Sequence, residues 1–370
     1  MLNRRNLRIK AMQTLFALQQ LRASDQQLAW EQFNEAVREL VKEDPEVLSK
    51  GDGIEKTFRQ YLNGDQSAEA LIPTDLLNLA TSYREVYYKQ FTKDLNFLRS
   101  QMLKEVDGIH RLFLWVMGLF VALADFEDGL YARKKSQEQQ LPLFRNIAAI
   151  ELIRNTLDSS NLPGWHEHQG RVSQWYREIK GNQEMAQRSK SNELSEADSG
   201  TLLFLFKHVL WKSESFQNFF EEHDRGWIEN KDIIKSLTNK TIKSISADGM
   251  VLAPLSYQWE EDKQFFEDIF DSTVKNESST QKLISERAKN WDTDRIAQVD
   301  MILLKMAITE MINFPSIPVK VTINEYIELS KKYSTPKSKQ FINGILDVLA
   351  THLTENGTIK KSGRGLIDNK

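Results

Sequence analysis

Apolar residues recur at helical spacing along nearly the whole of this 370-residue chain, and hardly any stretch keeps the strict alternation of a half-buried strand. That pattern predicts an all-α protein. Residues 3–22 place Leu7, Ala11, Leu15, Leu18 and Leu21 on one face, and residues 25–43 do the same through Leu28, Phe33, Val37 and Leu40. Further helices are predicted near 75–103, 106–132, 142–157, 200–211, 213–222, 229–245, 260–274, 279–290 and 293–313. Asp44-Pro45 leads into a Gly-containing loop, and the polar stretches 133–140 and 180–200 read as solvated loops or linkers. No internal repeat of fixed period stands out.

Two short helices with a basic junction are predicted near the end. Thr322-Ile323-Asn324-Glu325 has the spacing of a capping box, in which the hydroxyl and the carboxylate satisfy free amides of a first turn, so a helix is expected to start at about Ile323. Ile323, Ile327 and Ser330 share a face, and Lys331 and Lys332 sit where cations favour a helix C-terminus. Ser334-Thr335-Pro336 marks the second start, followed by a stripe of Phe341, Ile345, Val348 and Leu349. Gly344 in mid-helix implies a close approach to the backbone, by a packed helix or by a nucleic acid or partner.

Composition sets wider limits. The length allows two or three domains, and 40% hydrophobic with 10% aromatic residues suffices for packed cores. The absence of cysteine excludes a disulfide framework, a thiolate metal site and a cysteine nucleophile, and it fits a reducing compartment. The net charge of −3 is small, but its distribution is uneven. Residues 1–24 hold Arg4, Arg5, Arg8, Lys10 and Arg22, and residues 331–339 hold Lys331, Lys332, Lys337 and Lys339, without an acid in either segment. Two such patches suggest a directed contact with a polyanion. The N-terminal arginines are interleaved with apolar residues, which does not resemble an export signal, and the apolar run 112–124 is too short to span a bilayer. A cytoplasmic protein with a buried core helix is expected.

The helix at 293–313 combines a Trp291 anchor, a Thr293 cap and a core stripe of Ile296, Val299, Leu303, Met306 and Ala307. Asp294, Arg295 and Asp300 fall at or outside the stripe's margins, either as solvated charges or as a partner-binding edge. Glu310 falls close to the stripe and is expected to pair with a neighbouring donor.

These segments together resemble the NusB transcription antitermination family. The resemblance rests on the Arg-rich first helix with Ala11-Met12-Gln13-Thr14-Leu15-Phe16, on Phe265-Phe266, and on Asp294-Arg295-Ile296. It continues through Val299-Asp300, Ile302 to Glu310, Ile323-Asn324-Glu325 and Phe341-Ile342-Asn343-Gly344. It covers about 1–22 and 262–356 and implies a NusB-like helical bundle interrupted by a helical insertion at 23–261, whose start is ambiguous and could lie near 50. Residues 357–370 read as a flexible basic tail.

The resemblance further implies a protein that pairs with NusE, a small-subunit ribosomal protein, binds boxA RNA and joins the RNA polymerase antitermination complex, chiefly on ribosomal RNA operons. No cofactor is implied, and no bond is made or broken. Arg4, Arg5 and Arg8 are then the expected phosphate contacts, Phe16 and Phe341 the candidate stacking rings, and Lys337 and Lys339 an extension of the basic track. Phe341 also belongs to the core stripe. Asp294, Arg295 and Asp300 are the expected partner-binding edge.

Other classes find less support. His166-Glu-His168 is the nearest approach to a metal cluster, and i, i+2 histidines of this kind usually face solvent. No P-loop, dinucleotide fingerprint or nucleophile elbow is present. An RNA cytosine methyltransferase with a NusB-like domain would need catalytic cysteines and a Rossmann-like domain. A helical interaction scaffold remains a rival, in which aromatic segments such as Phe204-Leu-Phe206, Phe216 and Phe219-Phe220 either pack internally or dock a partner.

Overall fold

The computed structural model describes residues 1–43, 53–133, 143–144, 147–157, 164–188, 196–246, 248–287 and 296–367. Among these the protein is all-α, with a single isolated bridge between Ser246 and Gly249 and no strand. Two compact units are present, one made of Met1–Asn3 with Lys104–Trp259, the other of Arg4–Leu103 with Glu260–Lys370. Residues 23–103, assigned from sequence to an insertion, thus pack in the same unit as the first helix and the C-terminal segment.

The second unit contains α1 (Arg4–Glu43), α2 (Ile54–Leu62), α3 (Gln66–Glu69) and the first half of α4 (Thr74–Arg133). The two helices expected at 3–22 and 25–43 are one, as are those expected at 75–103 and 106–132. No Gly or Pro interrupts either junction, so nothing stops the hydrogen-bond ladder. Helices α2 and α3 occupy a stretch read as loop. Their Phe58, Tyr61, Leu62 and Ala68 form a core with Phe33 of α1 and with Leu76, Ala80 and Tyr87 of α4, and Phe33 stacks on Phe58 at 4.2 Å.

The first unit contains the rest of α4, α5 (Ala149–Leu157), α6 (Gln169–Gly181) and α7 (Gln183–Arg188). It continues with α8 (Glu196–Phe204), extended by a π turn at Leu205–Leu210, α9 (Glu214–His223) and α10 (Trp227–Lys243). Two of these, α6 and α7, were not foreseen. One helix, Thr74–Leu130, is long and apolar enough to cross a membrane, but its apolar window is 67% buried and the 112–124 run is a core element. Trp115, Trp165, Trp175, Phe216, Phe219, Phe220 and Trp227 pack there as one buried aromatic cluster. The aromatic segments that sequence left open therefore pack internally, apart from half-buried Phe204, which stacks on His208 and lies under Arg188. A buried carboxylate, Glu127, accepts hydrogen bonds from the Leu143 and Phe144 amides and the Tyr176 hydroxyl at 2.6–2.7 Å. His168 lies against Trp115, Trp165, Phe219 and His223.

The C-terminal part of the second unit is α11 (Trp259–Lys275), α12 (Glu277–Arg287), α13 (Gln298–Asn313), α14 (Val319–Tyr333) and α15 (Ser338–Glu355). Helix α13 is buried on every side from Ile302 to Met311, as its strongly apolar composition requires. At its C-terminal end Glu310, fully buried, receives Nε and Nη2 of Arg8 at 2.7 Å each, the Thr322 hydroxyl at 2.8 Å and the Tyr326 hydroxyl at 3.1 Å. At the other end Gln20 of α1 donates to Gln298 at 2.8 Å, so α1 runs antiparallel to α13. Helix α14 does likewise, with Thr322 and Tyr326 beside Glu310 and the junction after Tyr333 beside Asp300.

Several local expectations are corrected here. Helix α14 begins four residues earlier than the capping box implied, after extended Pro318, and Thr322 uses its hydroxyl on Glu310 instead of on a first-turn amide. In α15 the buried stripe is Phe341, Ile342, Ile345, Leu346, Leu349 and Leu353, while Val348 is exposed, and among the described residues no helix packs within 4 Å of where a Cβ on Gly344 would stand. The tail is pinned rather than flexible up to residue 367. Lys361 Nζ donates to the Phe314 carbonyl and the Ser362 amide to that of Pro315, both at 3.0 Å, and Gly365 lies so near Pro315 that a Cβ would stand 2.0 Å from its oxygen.

Replacing Arg8 with Met leaves the Glu310 carboxylate buried without its counter-charge, which costs about 3–5 kcal/mol. The expected outcome is a strong loss of stability in urea unfolding of the Arg8→Met protein. The Arg8→Met/Glu310→Met protein is expected to recover much of that loss.

Candidate nucleic-acid interface

The ion pair at Glu310 decides which N-terminal cations remain available. Arg8 is buried, its planar fork fully aligned on Glu310, with Phe265 and Tyr326 rings over the guanidinium at 5.1 and 5.9 Å. Burial alone would lower its pKa, but the charge and hydrogen bonds of Glu310 outweigh that and raise it. Arg8 therefore cannot serve as the phosphate contact expected from sequence; it is a structural cation. The Tyr326 phenol is pushed well up, first by burial and then by the Glu310 charge.

Arg4 and Arg5 are partly exposed but also engaged. Arg5 forms a two-pronged pair with Glu325 at 2.8 and 2.7 Å, and Arg4 reaches Asp262 at 3.4 Å while lying 5.1 Å from the Phe265 ring. Farther along α1, Arg22 is held by Glu277 at 2.6 Å, and Lys10 is buried. Phe16 is 37% exposed, eight residues beyond Arg8.

The second basic patch is different in kind. Lys337 and Lys339 are exposed and, among the described residues, have no carboxylate partner; they flank the first residue of α15. Asp300 lies at this place as a buried acceptor, taking the Ser338 hydroxyl at 2.6 Å, and Ser338 also contacts the Ser334 and Thr335 hydroxyls. Asp300 is thus a positioning residue for the junction rather than part of an exposed partner-binding edge. Its carboxylate was misplaced because α15 covers a face of α13 that the stripe left open. Asp294 and Arg295 lie outside the described residues. Phe341 is only 9% exposed and belongs to the core, so it is not an open stacking ring.

Arg8 and the lysine patch lie toward opposite ends of α13. Arg8 marks the Glu310 end of α13 and Ser338 the Asp300 end, ten residues or about 15 Å apart along the axis. Phe16 lies about 12 Å from Arg8 along α1, toward the Lys337 end. Lys337 and Lys339, without a carboxylate partner among the described residues, stand at the amino terminus of α15, where backbone amides favour anions, and Phe16 is exposed on α1 toward the same end of α13.

Residues 244–351 match the NusB family. The chain carries a NusB-family domain. It is 48% identical over 73 residues to the transcription antitermination protein NusB of Salinibacter ruber, covering 20% of this chain and 46% of that one. The corresponding protein of Chloroherpeton thalassium is 48% identical over 75 residues, covering 20% and 36%, and that of Natranaerobius thermophilus 48% over 62 residues, covering 17% and 45%. The matched part therefore spans less than half the length of these relatives. No solved structure matches the chain. Asp300, Lys337, Lys339 and Phe341 lie inside the NusB match, whereas Arg4, Arg5, Arg8 and Phe16 lie outside it.

The acids that hold these arginines give the unit a pH dependence. Hydrogen bonds from Arg5 depress the Glu325 pKa against the opposing effect of burial, with Arg8 assisting. At Glu277, burial raises the pKa, but Lys305 and Arg22 outweigh it and leave it depressed. A depressed carboxylate stabilises the fold fully above the ordinary value near 4.5, and the benefit disappears as pH falls through the folded value. The melting temperature is expected to fall between about pH 5 and pH 3, and less steeply in a Glu277→Gln/Glu325→Gln protein measured alongside the wild type.

Proposed function

We propose that the protein is a transcription antitermination factor whose NusB domain binds single-stranded RNA of the boxA type together with NusE, acting with RNA polymerase on ribosomal RNA operons. The function is one of binding, with no bond made or broken. The observation that carries this reading is the pair of exposed lysines, Lys337 and Lys339, which have no carboxylate partner among the described residues, on a junction fixed by Asp300 inside the residues that match NusB. Two such cations release counterions when they meet phosphates, and exposed Phe16 at the same end offers a π face to a base. Arg4 and Arg5 contribute through the donors they do not spend on Asp262 and Glu325. The scaffold alternative, in which the insertion carries the activity and RNA binding is lost, would have to dock a partner through residues other than these aromatic segments, which are largely internal.

Lys337→Ala/Lys339→Ala is expected to weaken binding to a boxA-like RNA and to reduce the slope of log K against log salt by about 1.4, at about 0.7 per phosphate lost on a single strand. Fluorescence anisotropy at several salt concentrations, with and without NusE, measures both. An unchanged slope removes the lysine contact. A failure of NusE to sharpen the preference for boxA over a scrambled RNA removes the antitermination reading.

A further inference from the structure

Helix α4 carries an outward face in the second unit that neither the core nor the NusB match accounts for. The exposed positions from Val86 to Ser100 are Val86, Tyr88, Lys89, Thr92, Lys93, Asn96, Phe97 and Ser100. None is an acid. Phe97 is 57% exposed and Val86 61%, and among the described residues Lys89 and Lys93 have no carboxylate partner. The acid of this stretch, Asp94, is turned away from that row and accepts from Gln90 at 3.0 Å. Arg99 lies off it too, tied to Asp271 at 3.0 Å.

The inward residues of the same turns fix where this face lies. Phe91 lines a small partly open pocket with Leu15, Leu18, Arg22, Ile302 and Lys305. Tyr83 meets Phe33 and Tyr87 receives Arg22, so α4 runs antiparallel to α1, and Phe97 comes to the level of α1 near Phe16. This is the Lys337 end of α13. Lys89 and Lys93 are one turn apart, with Cβ atoms about 5–6 Å from each other, and Phe97 follows one turn later.

Such a face does not suit a docked helix, which needs contiguous apolar anchors at i, i+3, i+4 and i+7. Here the exposed apolar and aromatic side chains are Val86, Tyr88 and Phe97, with only Lys89, Thr92, Lys93 and Asn96 exposed between Tyr88 and Phe97, so no i, i+3, i+4, i+7 set of anchors is present. A single nucleic-acid strand asks for the opposite: isolated rings on which bases stack, flanked by unpaired cations. We propose that the α4 face from Tyr88 to Ser100 is a second contact for single-stranded RNA, in which Lys89 and Lys93 meet phosphates and Phe97 stacks a base. This rests on the RNA-binding reading above and extends the contact to residues outside the NusB match.

The test is anisotropy with an unstructured RNA of about 25 nucleotides, using the full chain as wild type, Lys89→Ala/Lys93→Ala, Phe97→Leu and Lys337→Ala/Lys339→Ala. The first variant is expected to reduce the salt slope by about 1.4. Phe97→Leu is expected to weaken binding about tenfold with the slope unchanged, because it removes stacking and leaves the charges. All the substitutions are on the surface, and circular dichroism is expected to match the wild type. A 4-thiouridine-substituted RNA is expected to cross-link within the Tyr88–Ser100 segment. If the α4 variants bind as the wild type does while the Lys337/Lys339 variant is weakened, this proposal is overturned and the RNA reading stands. Unchanged RNA affinity with loss of a self-association seen in sedimentation also overturns it, in favour of a protein contact. Absence of RNA binding by the wild type removes both.

Discussion

The four donors around the Glu310 carboxylate govern the arrangement of α1 and α14 about α13 in the second unit. A charge taken out of water is tolerated only where its counter-charge and its remaining lone pairs are met with good geometry. Glu310 meets that demand with groups from α1 and α14, about 302 and 12–16 residues away in sequence. Each helix supplies one donor to each oxygen, so neither can rotate or slide without giving up a hydrogen bond to both. The antiparallel run of α1 and α14 along α13 follows from this anchoring and from the Gln20–Gln298 contact at the other end. Acid-paired arginines stand at both ends, Arg5 and Arg8 at one and Arg22 at the other, whereas Lys337 and Lys339 have no carboxylate partner among the described residues.

Helix content was legible from periodicity, and so was the burial of the 112–124 run, because both follow from local pattern. Helix continuity was less so. Residues 22–25 and 104–105 are polar without being helix breakers, and polarity alone does not end a hydrogen-bond ladder. Helices α3 and α7 are too short to build a stripe, whereas α6 carries Val172, Trp175, Tyr176 and Ile179 and α2 carries Phe58, Tyr61 and Leu62 at helical spacing, a signal the surrounding Gly, Asn and Asp residues masked.

Long-range pairing was the part that sequence concealed. The first 24 residues contain five cations and no acid, and a local reading takes them as a polyanion surface. Their acids are supplied from far along the chain: Asp262, Glu277, Glu310 and Glu325. Thr322 and Glu325 carry the spacing of a capping box, yet one serves the Glu310 oxygen and the other the Arg5 fork. Spacing rules describe what a segment can do alone; a neighbouring helix offering a stronger, charge-assisted bond overrides them.

This redistribution changes how an RNA would feel the protein. A cation already paired with a carboxylate yields little when it meets a phosphate, because the gain is offset by the bond it must release. Unpaired lysines release condensed counterions without such an offset. The salt dependence of binding should therefore track Lys337, Lys339 and the lysines of α4 far more than the arginines of α1, although the latter look like the stronger basic motif in sequence. An arginine cluster within a helix is as much a sign of buried acids waiting elsewhere in the fold as of a ligand, and the decisive observation is which carboxylates the fold brings to it.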